Sequence, residues 1–307
     1  MLNFSPESRC GSHTAVALGI FDGVHLGHRA VINAALAKRG LLPCVFTFSA
    51  SSVQQKQARF VSYLYSDLQK RALLAACGIQ GIFSADFADY SFHSGEAFAA
   101  YILRDILNAS AVICGEDFRF GRGAAYDVSD LIRFGDRYGF SVEPVPAVEM
   151  NGMRVSSSRI RALLKQGDLA EANTLLGASY RLTGVVHHGN EIGRTLGFPT
   201  LNQRFSEGQC IPRTGVYASL ALRRGQWFPS ITNIGFRPTI GDLTAPIAET
   251  HIMNQNEILY GETVTVTLCS FIRSEQRFGS KTELQNQLHR DCITAQEYFN
   301  KLGGMTI

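Results

Sequence analysis

Residues 19–28 read GIFDGVHLGH, and two imidazoles three positions apart, His25 and His28, follow directly on the apolar run AVALGIF. A glycine-flanked strand end that opens into a helix leaves backbone N–H groups free and presents the positive end of the helix dipole, which makes an anion site. Imidazoles in the first helical turn add donors that can follow charge as it grows on a phosphate in a transition state. Gly27 between them leaves room for a nucleotide against the backbone. A second stretch, HHGNEIGRTLGFPTLN at 187–202, offers different chemistry. Its glycines at 189, 193 and 197 allow a low loop to fold over phosphates, with Arg194 as charge partner. Thr200 and Asn202, two apart on an extended segment, turn a hydroxyl and an amide oxygen to one side, and hard oxygens of this kind suit Mg2+. No GxxxxGK[ST] occurs in the chain, which excludes a P-loop kinase as far as the motif reaches.

The elements that must hold these residues fall into two textures. In the first half, buried-strand runs (TAVALGIF, LPCVFTF, IQGIFS, SAVICG, FSVEPVP) alternate with helical patterns (LGHRAVINAALAKRG, SDLQKRALLAACG, GEAFAAYILRDIL, VSDLIRFGDRYG). Such alternation predicts an α/β domain with a parallel sheet, in which ligands bind at the carboxyl ends of the strands. SDLQ reads as a capping box on Ser66 and Gln69, with Gly78 as the C-terminal stop. VSSSRIRALLKQGDLAEANTLLG supplies one or two more helices. From Arg181 the chain turns to β-rich segments broken by glycine and proline, at the spacing of a small antiparallel barrel, with KTELQNQLHRDCITAQEYFNKL as a closing helix. The fold class is therefore α/β plus all-β, with domains expected at 1–180 and 181–307.

Composition sets the limits. The 307 residues carry 45% hydrophobic and 18% charged residues, a globular balance with room for two cores. A formal net charge of +3 is too small to argue for nucleic acid. Seven scattered cysteines without a CxxC argue against a zinc site or a disulfide framework and fit a reducing cytoplasm. No apolar run reaches the length of a membrane span, and MLNFSPESRC lacks the layout of a signal peptide. The expected partners are small molecules, with neither nucleic acid nor membrane.

GIFDGVHLGH resembles the first signature of the HxGH nucleotidyltransferases, in particular the adenylyltransferase half of the bacterial bifunctional riboflavin kinase/FAD synthetases. GEDFRFGRG at 115–123 and VSSSRIR at 155–161 resemble that family's two later signatures, in order. The resemblance implies a Rossmann-like domain in which Gly19, Phe21, Asp22, Gly23, His25, Gly27 and His28 form the ATP phosphate pocket. It further implies that Ser157, Ser158 and Arg161 close over the nucleotide, and that Asp117 and Phe118 help hold the flavin. The FMN phosphate then attacks the α-phosphorus of ATP, releasing pyrophosphate and giving FAD without a covalent intermediate. GRTLGFPTLN likewise resembles the riboflavin kinase signature, with Leu201 the one departure from its Pro-Thr-Ala-Asn core. TNIGFRPTIG, ETHIM, LYGE and FIRSEQRF match further blocks of that family in order. This second likeness implies a riboflavin kinase barrel with Mg2+ on Thr200 and Asn202, and Gly189, Gly193, Arg194 and Gly197 over ATP. It puts Glu249 on the catalytic base that deprotonates the ribityl 5′-hydroxyl, and makes Asn233 and Arg273 contacts to flavin or nucleotide.

The chain departs from the family at TFSASS, residues 47–52, where Phe-Asp-Pro-His-Pro is usual. It departs again at Tyr126, in place of a glycine, and at IMNQN, where an aspartate is usual. Taken one at a time, the motifs also have plainer readings: a tight turn for HxGH, a helix N-cap for Ser156–Ser158, core packing for Phe118, a barrel turn for 187–202, a solvated carboxylate for Glu249. Two rival functions stay open beside the bifunctional one. They are a riboflavin kinase with a catalytically silent first domain, and a flavin- or nucleotide-sensing protein.

Overall fold

The computed structural model describes residues 1–50, 52, 62–189, 192–238, 244–255 and 259–302. The chain divides into two compact units, Met1–Ser157 with Gly208–Cys210, and Ser158–Glu207 with Ile211–Ile307.

In the first unit, β1 (Leu2–Asn3), β2 (Thr14–Leu18), β3 (Leu42–Phe48), β4 (Gly81–Ala85), β5 (Ala109–Gly115) and β6 (Ser141–Val145) form a parallel sheet in the order β1-β4-β3-β2-β5-β6. TAVAL in β2 is buried along its whole length because both faces of the sheet are covered. Strand alternation sends Val16 and Leu18 into a core with Phe46, Phe98 and Phe120, and Ala15 and Ala17 into another with Ile32, Leu74 and Ile113. Helices α1 (Leu26–Leu36), α2 (Asp67–Ala76) and α3 (Val128–Tyr138) match the sequence pattern. α2 carries the expected capping box, and Gly78 beyond it adopts φ +98°. GEAFAAYILRDIL differs: Phe98–Ile106 winds as a π-helix, with Phe98, Ile102 and Ile106 still buried. A short hairpin, β7 (Glu149–Met150) and β8 (Met153–Arg154), precedes the unit's end.

This sheet order has a consequence for ligands. β3 and β4 lie to one side of β2, while β5 and β6 lie to the other, so a crevice opens at the carboxyl ends of β2 and β5. GIFDGVHLGH leaves β2 and GEDFRFGRG leaves β5 at that end.

In the second unit, α4 (Ser157–Gln166, whose first residue belongs to the first unit) and α5 (Leu169–Leu176) precede six strands. These are β9 (Arg181–Val185), β10 (Leu201–Arg204), β11 (Gly215–Arg223), β12 (Gln226–Pro238), β13 (Thr244–Ile252) and β14 (Thr263–Arg273). They pair antiparallel in the order β10-β13-β12-β11-β14-β9, and His187 N–H donates to the Asn202 carbonyl at 2.8 Å, which nearly closes the barrel. The compact division thus falls earlier than the boundary expected near residue 180. Asn173 of α5 explains the shift. Its side chain accepts from Tyr180 N–H (2.8 Å) and donates to the Leu268 carbonyl of β14 (3.4 Å).

The closing helix α6 (Lys281–Leu302) sets Ala295 and Phe299 on Val216, Ala218, Leu220 and Ile231. The opposite sheet face carries a buried hydroxyl ladder, Ser230–Ser219–Thr232–Thr250, with links of 2.9, 2.7 and 2.8 Å.

Candidate active sites, one in each unit

The turn after β2 is strained by design of its contacts. Phe21 and Val24 take φ of +53° and +45°, and Gly23 takes +91°. Left-handed backbone at a β-branched residue costs on the order of 1–3 kcal/mol and persists only where the surroundings over-determine it. Here four segments do so. Thr47 Oγ1 donates to the Ile20 carbonyl (2.9 Å), Leu64 N–H to Asp22 Oδ1 (2.7 Å), Ser157 Oγ to the Asp22 carbonyl (2.8 Å) and Arg29 Nε to the Val24 carbonyl (3.1 Å). Asp22 is thus a brace of the turn, and the Phe21 ring lies over Gly19.

His25 caps α1, with Nδ1 accepting from His28 N–H at 3.3 Å, so its proton is on Nε2. The His28 ring stacks on His25 at 3.6 Å and 16°, with Phe21 edge-on at 5.3 Å. The His25 imidazole lies beside Gly27, where a Cβ would press it at 3.2 Å. Burial first, then the electrostatic influence of His25 and the Lys70 ammonium, hold the His28 pKa well below the ordinary histidine range, so the ring is neutral near pH 7. Its Nδ1 is buried and has no partner among the described residues.

Beside this pair the exit of β3, TFSASS, is fixed through its backbone. Ser49 N–H donates to the Ala85 carbonyl, Ala50 N–H to Asp67 (2.9 Å), and the buried Lys70 ammonium to the Phe48 carbonyl (2.6 Å) with Asp67 at 3.2 Å. Ser51 lies outside the described residues. Across the crevice, Asp117 pairs with Arg154 at 2.5 Å, and hydrogen bonding from Arg154 holds its carboxyl below the usual range. Phe118 stacks with Phe120 at 5.8 Å. The Tyr126 ring fills the room left by Gly95 and Gly121, where a Cβ would overlap it. Ser158 and Arg161 belong to the second unit and bond each other at 3.0 Å.

The second unit assembles its candidates by register. Asn202 of β10 pairs directly with Glu249 of β13, which pairs with Asn233 of β12, then Val216 of β11 and Arg273 of β14. Directly paired residues present their side chains to one face, so these positions form a line crossing strands spaced about 4.8 Å apart. Asn202 Oδ1 is buried and has no partner among the described residues. Gly189 lies against its carboxamide, so closely that a Cβ would overlap it. Gly193 is likewise required, because a Cβ would run into the Phe198 carbonyl. Gly197 takes φ +81°, and the Arg194 side chain lies outside the described residues.

Arg273, the last residue of this line, is paired with the closing helix. Its guanidinium binds Asp291 of α6 through both Nε (2.8 Å) and Nη2 (2.7 Å), and Asp291 is 1% exposed. Breaking a buried pair leaves an uncompensated charge. Asp291→Ala is therefore expected to destabilise the second unit by about 3–5 kcal/mol, measured by urea unfolding followed on the fluorescence of Trp227, the one tryptophan.

Comparisons with known proteins decide the family. The FAD synthetase family matches residues 7–159 and the riboflavin kinase family residues 176–299. The bifunctional riboflavin kinase/FMN adenylyltransferase of Escherichia coli (strain K12) is 34% identical over 304 residues, 97% of this chain and 95% of its own. The protein of the same name from Listeria monocytogenes is 34% identical over 293 residues, 94% of this chain and 93% of its own. This chain belongs to the bifunctional riboflavin kinase/FMN adenylyltransferase family. A crystal structure described as a macrolide-efflux protein from Streptococcus pneumoniae shares the fold, with a TM-score of 0.84 and 28% identity, covering 96% of this chain and 99% of that one. That description concerns the other protein; no helix among the described residues here is long and apolar enough to cross a membrane.

Two residues beside the candidate site residues went unread in the sequence. Lys70 stands four positions before the buried Leu74, spacing that puts it on the apolar face of α2. His251 stands two after Glu249, so strand alternation gives both the same side. Its Nδ1 lies 2.9 Å from the Pro199 carbonyl, and burial lowers its pKa against the opposing effect of that bond.

Proposed function

We propose that the second unit phosphorylates riboflavin to FMN with ATP, and that the first joins FMN to the adenylyl group of a second ATP, giving FAD. The kinase labour falls to residues 181–307 and the adenylyl transfer to residues 1–180, a functional boundary that lies inside the second compact unit. The observation that carries the reading is the register line from Asn202 through Glu249 to Asn233.

Asn202 Oδ1 is a buried acceptor without a partner among the described residues, one step from a carboxylate, and its donor type suits a hard cation. Thr200 and Asn202 are the residues that would hold Mg2+. When bound, the ion neutralises phosphate charge and orients the triphosphate. The glycines at 189 and 193 let backbone come down against this end of the line, where N–H groups can face phosphate oxygens. Glu249 takes the proton of the ribityl 5′-hydroxyl as that oxygen attacks the γ-phosphorus, and ADP leaves. Asn233, next on the line, orients the ribityl chain.

In the first unit, the braced turn sets the α1 N-terminus and the two imidazoles toward the crevice. His25 offers Nε2–H, and His28, neutral and stacked on it, supplies a second donor, so both follow the charge that builds on the α-phosphate when FMN attacks. Asp117 and Phe118 flank the flavin side, with Ser157 on the nucleotide. A cytoplasmic setting belongs to the same reading and is supported by seven cysteines that are all free thiols.

The test is direct. Purified protein incubated with riboflavin and MgATP is expected to yield FMN first and FAD later, separated by chromatography. FMN that accumulates without FAD would remove the first-unit half and leave the kinase with a silent partner. No product at all would favour a sensor.

A further inference from the structure

We infer that His251 is a positioning residue of the kinase site, holding the peptide between Pro199 and Thr200 so that Thr200 and Asn202 face one point. The inference rests on the proposed use of those two residues for Mg2+.

The segment needs an external hold. Residues 198–200 pair with no strand, and β10 begins only at Leu201. The proline ring fixes φ of residue 199 near about −65°, which leaves ψ, and hence the tilt of the next peptide, to be set by a contact. His251 Nδ1 makes that contact, 2.9 Å from the Pro199 carbonyl oxygen. A carbonyl only accepts, so the imidazole carries its proton on Nδ1 and donates. The donor is itself fixed, because His251 is buried in β13, paired with Ile231. Phe198 turns its ring edge-on between His251 (5.2 Å) and His289 of α6 (4.8 Å). Gln285 Nε2 holds the Leu196 carbonyl at 3.1 Å, and Phe198 N–H returns to the Gly193 carbonyl at 2.8 Å. These contacts secure the chain up to residue 198. The His251 bond acts on the carbonyl of Pro199, in the peptide that aims Thr200.

Groups that orient metal ligands from behind commonly change metal affinity 10–100-fold when lost. The amides of Asn and Gln place an N–H where imidazole Nδ1 and Nε2 stand, respectively, which separates the bond from mere volume. In the full chain, His251→Gln and His251→Leu are expected to raise the Mg2+ concentration for half-maximal FMN formation about 10–100-fold, while His251→Asn stays near the parent. Calorimetric binding of ADP in the presence of Mg2+ should weaken in the same order, with riboflavin affinity unchanged. In metal-free protein labelled with 15N in its imidazoles, the resonance lost in His251→Asn should be a neutral ring protonated on Nδ1. FAD formation from supplied FMN reports whether each variant has folded. Equal behaviour of the Asn and Gln variants, or a ring protonated on Nε2, would overturn the inference. Thr200→Val tests the underlying reading: if it leaves the Mg2+ titration unmoved, the metal assignment fails, whereas a shift there without one in His251→Gln defeats only the role of His251.

Discussion

Glu249→Gln is expected to lower FMN formation about 10²–10⁴-fold, the range a positioned general base supplies. The substitution keeps the volume of the side chain and leaves β13 paired with β10 and β12 at Asn202 and Asn233. Only the proton-accepting oxygen is lost. Riboflavin affinity, measured by quenching of flavin fluorescence, should stay within about twofold because the amide still accepts hydrogen bonds. FAD formation from supplied FMN should be untouched. Parallel loss of riboflavin binding and turnover would show that the carboxylate holds the substrate and does not take its proton.

The second large effect lies in the other unit. His28→Ala should reduce FAD formation about 10²–10³-fold, as loss of one oriented donor does, with the kinase unchanged. Alanine keeps the backbone N–H that fixes His25 Nδ1, and it suits the first turn of α1. The remaining imidazole therefore stays in place, and the loss reports the His28 ring itself. FAD produced at the parent rate would place the adenylyl transfer on other residues.

Much of this was legible from residue types and spacing. The apolar run TAVAL, the capping box at Ser66 and Gln69, and the β-rich texture after Arg181 are local signals, and the structure carries each of them. What stayed hidden depends on contacts remote in sequence. Val24 reads as an extended, β-branched residue, yet it is left-handed because Asp22 beside it is braced by Leu64 and Ser157, 42 and 135 positions away. Asn173 places α5 with the barrel through Leu268, 95 positions on. The pairing of Arg273 with Asp291 stayed hidden because Asp291 sits on a helix whose docking no local pattern reveals. The place of His25 at the start of α1 was legible, whereas its contact with Gly27 was not.

The register line has one more consequence. Side chains on a strand alternate, so facing depends on whether a slip is odd or even. One residue inserted within β13 ahead of Glu249 would turn that carboxylate inward beside Ser219 and Thr232, in the place Thr250 now holds, and bring a neighbour out in its own place. Two would restore its outward aim but offset it from Asn202 along the strand. Insertions tolerated by the barrel as a scaffold are thus ruinous to its chemistry by simple parity, whatever residues they add.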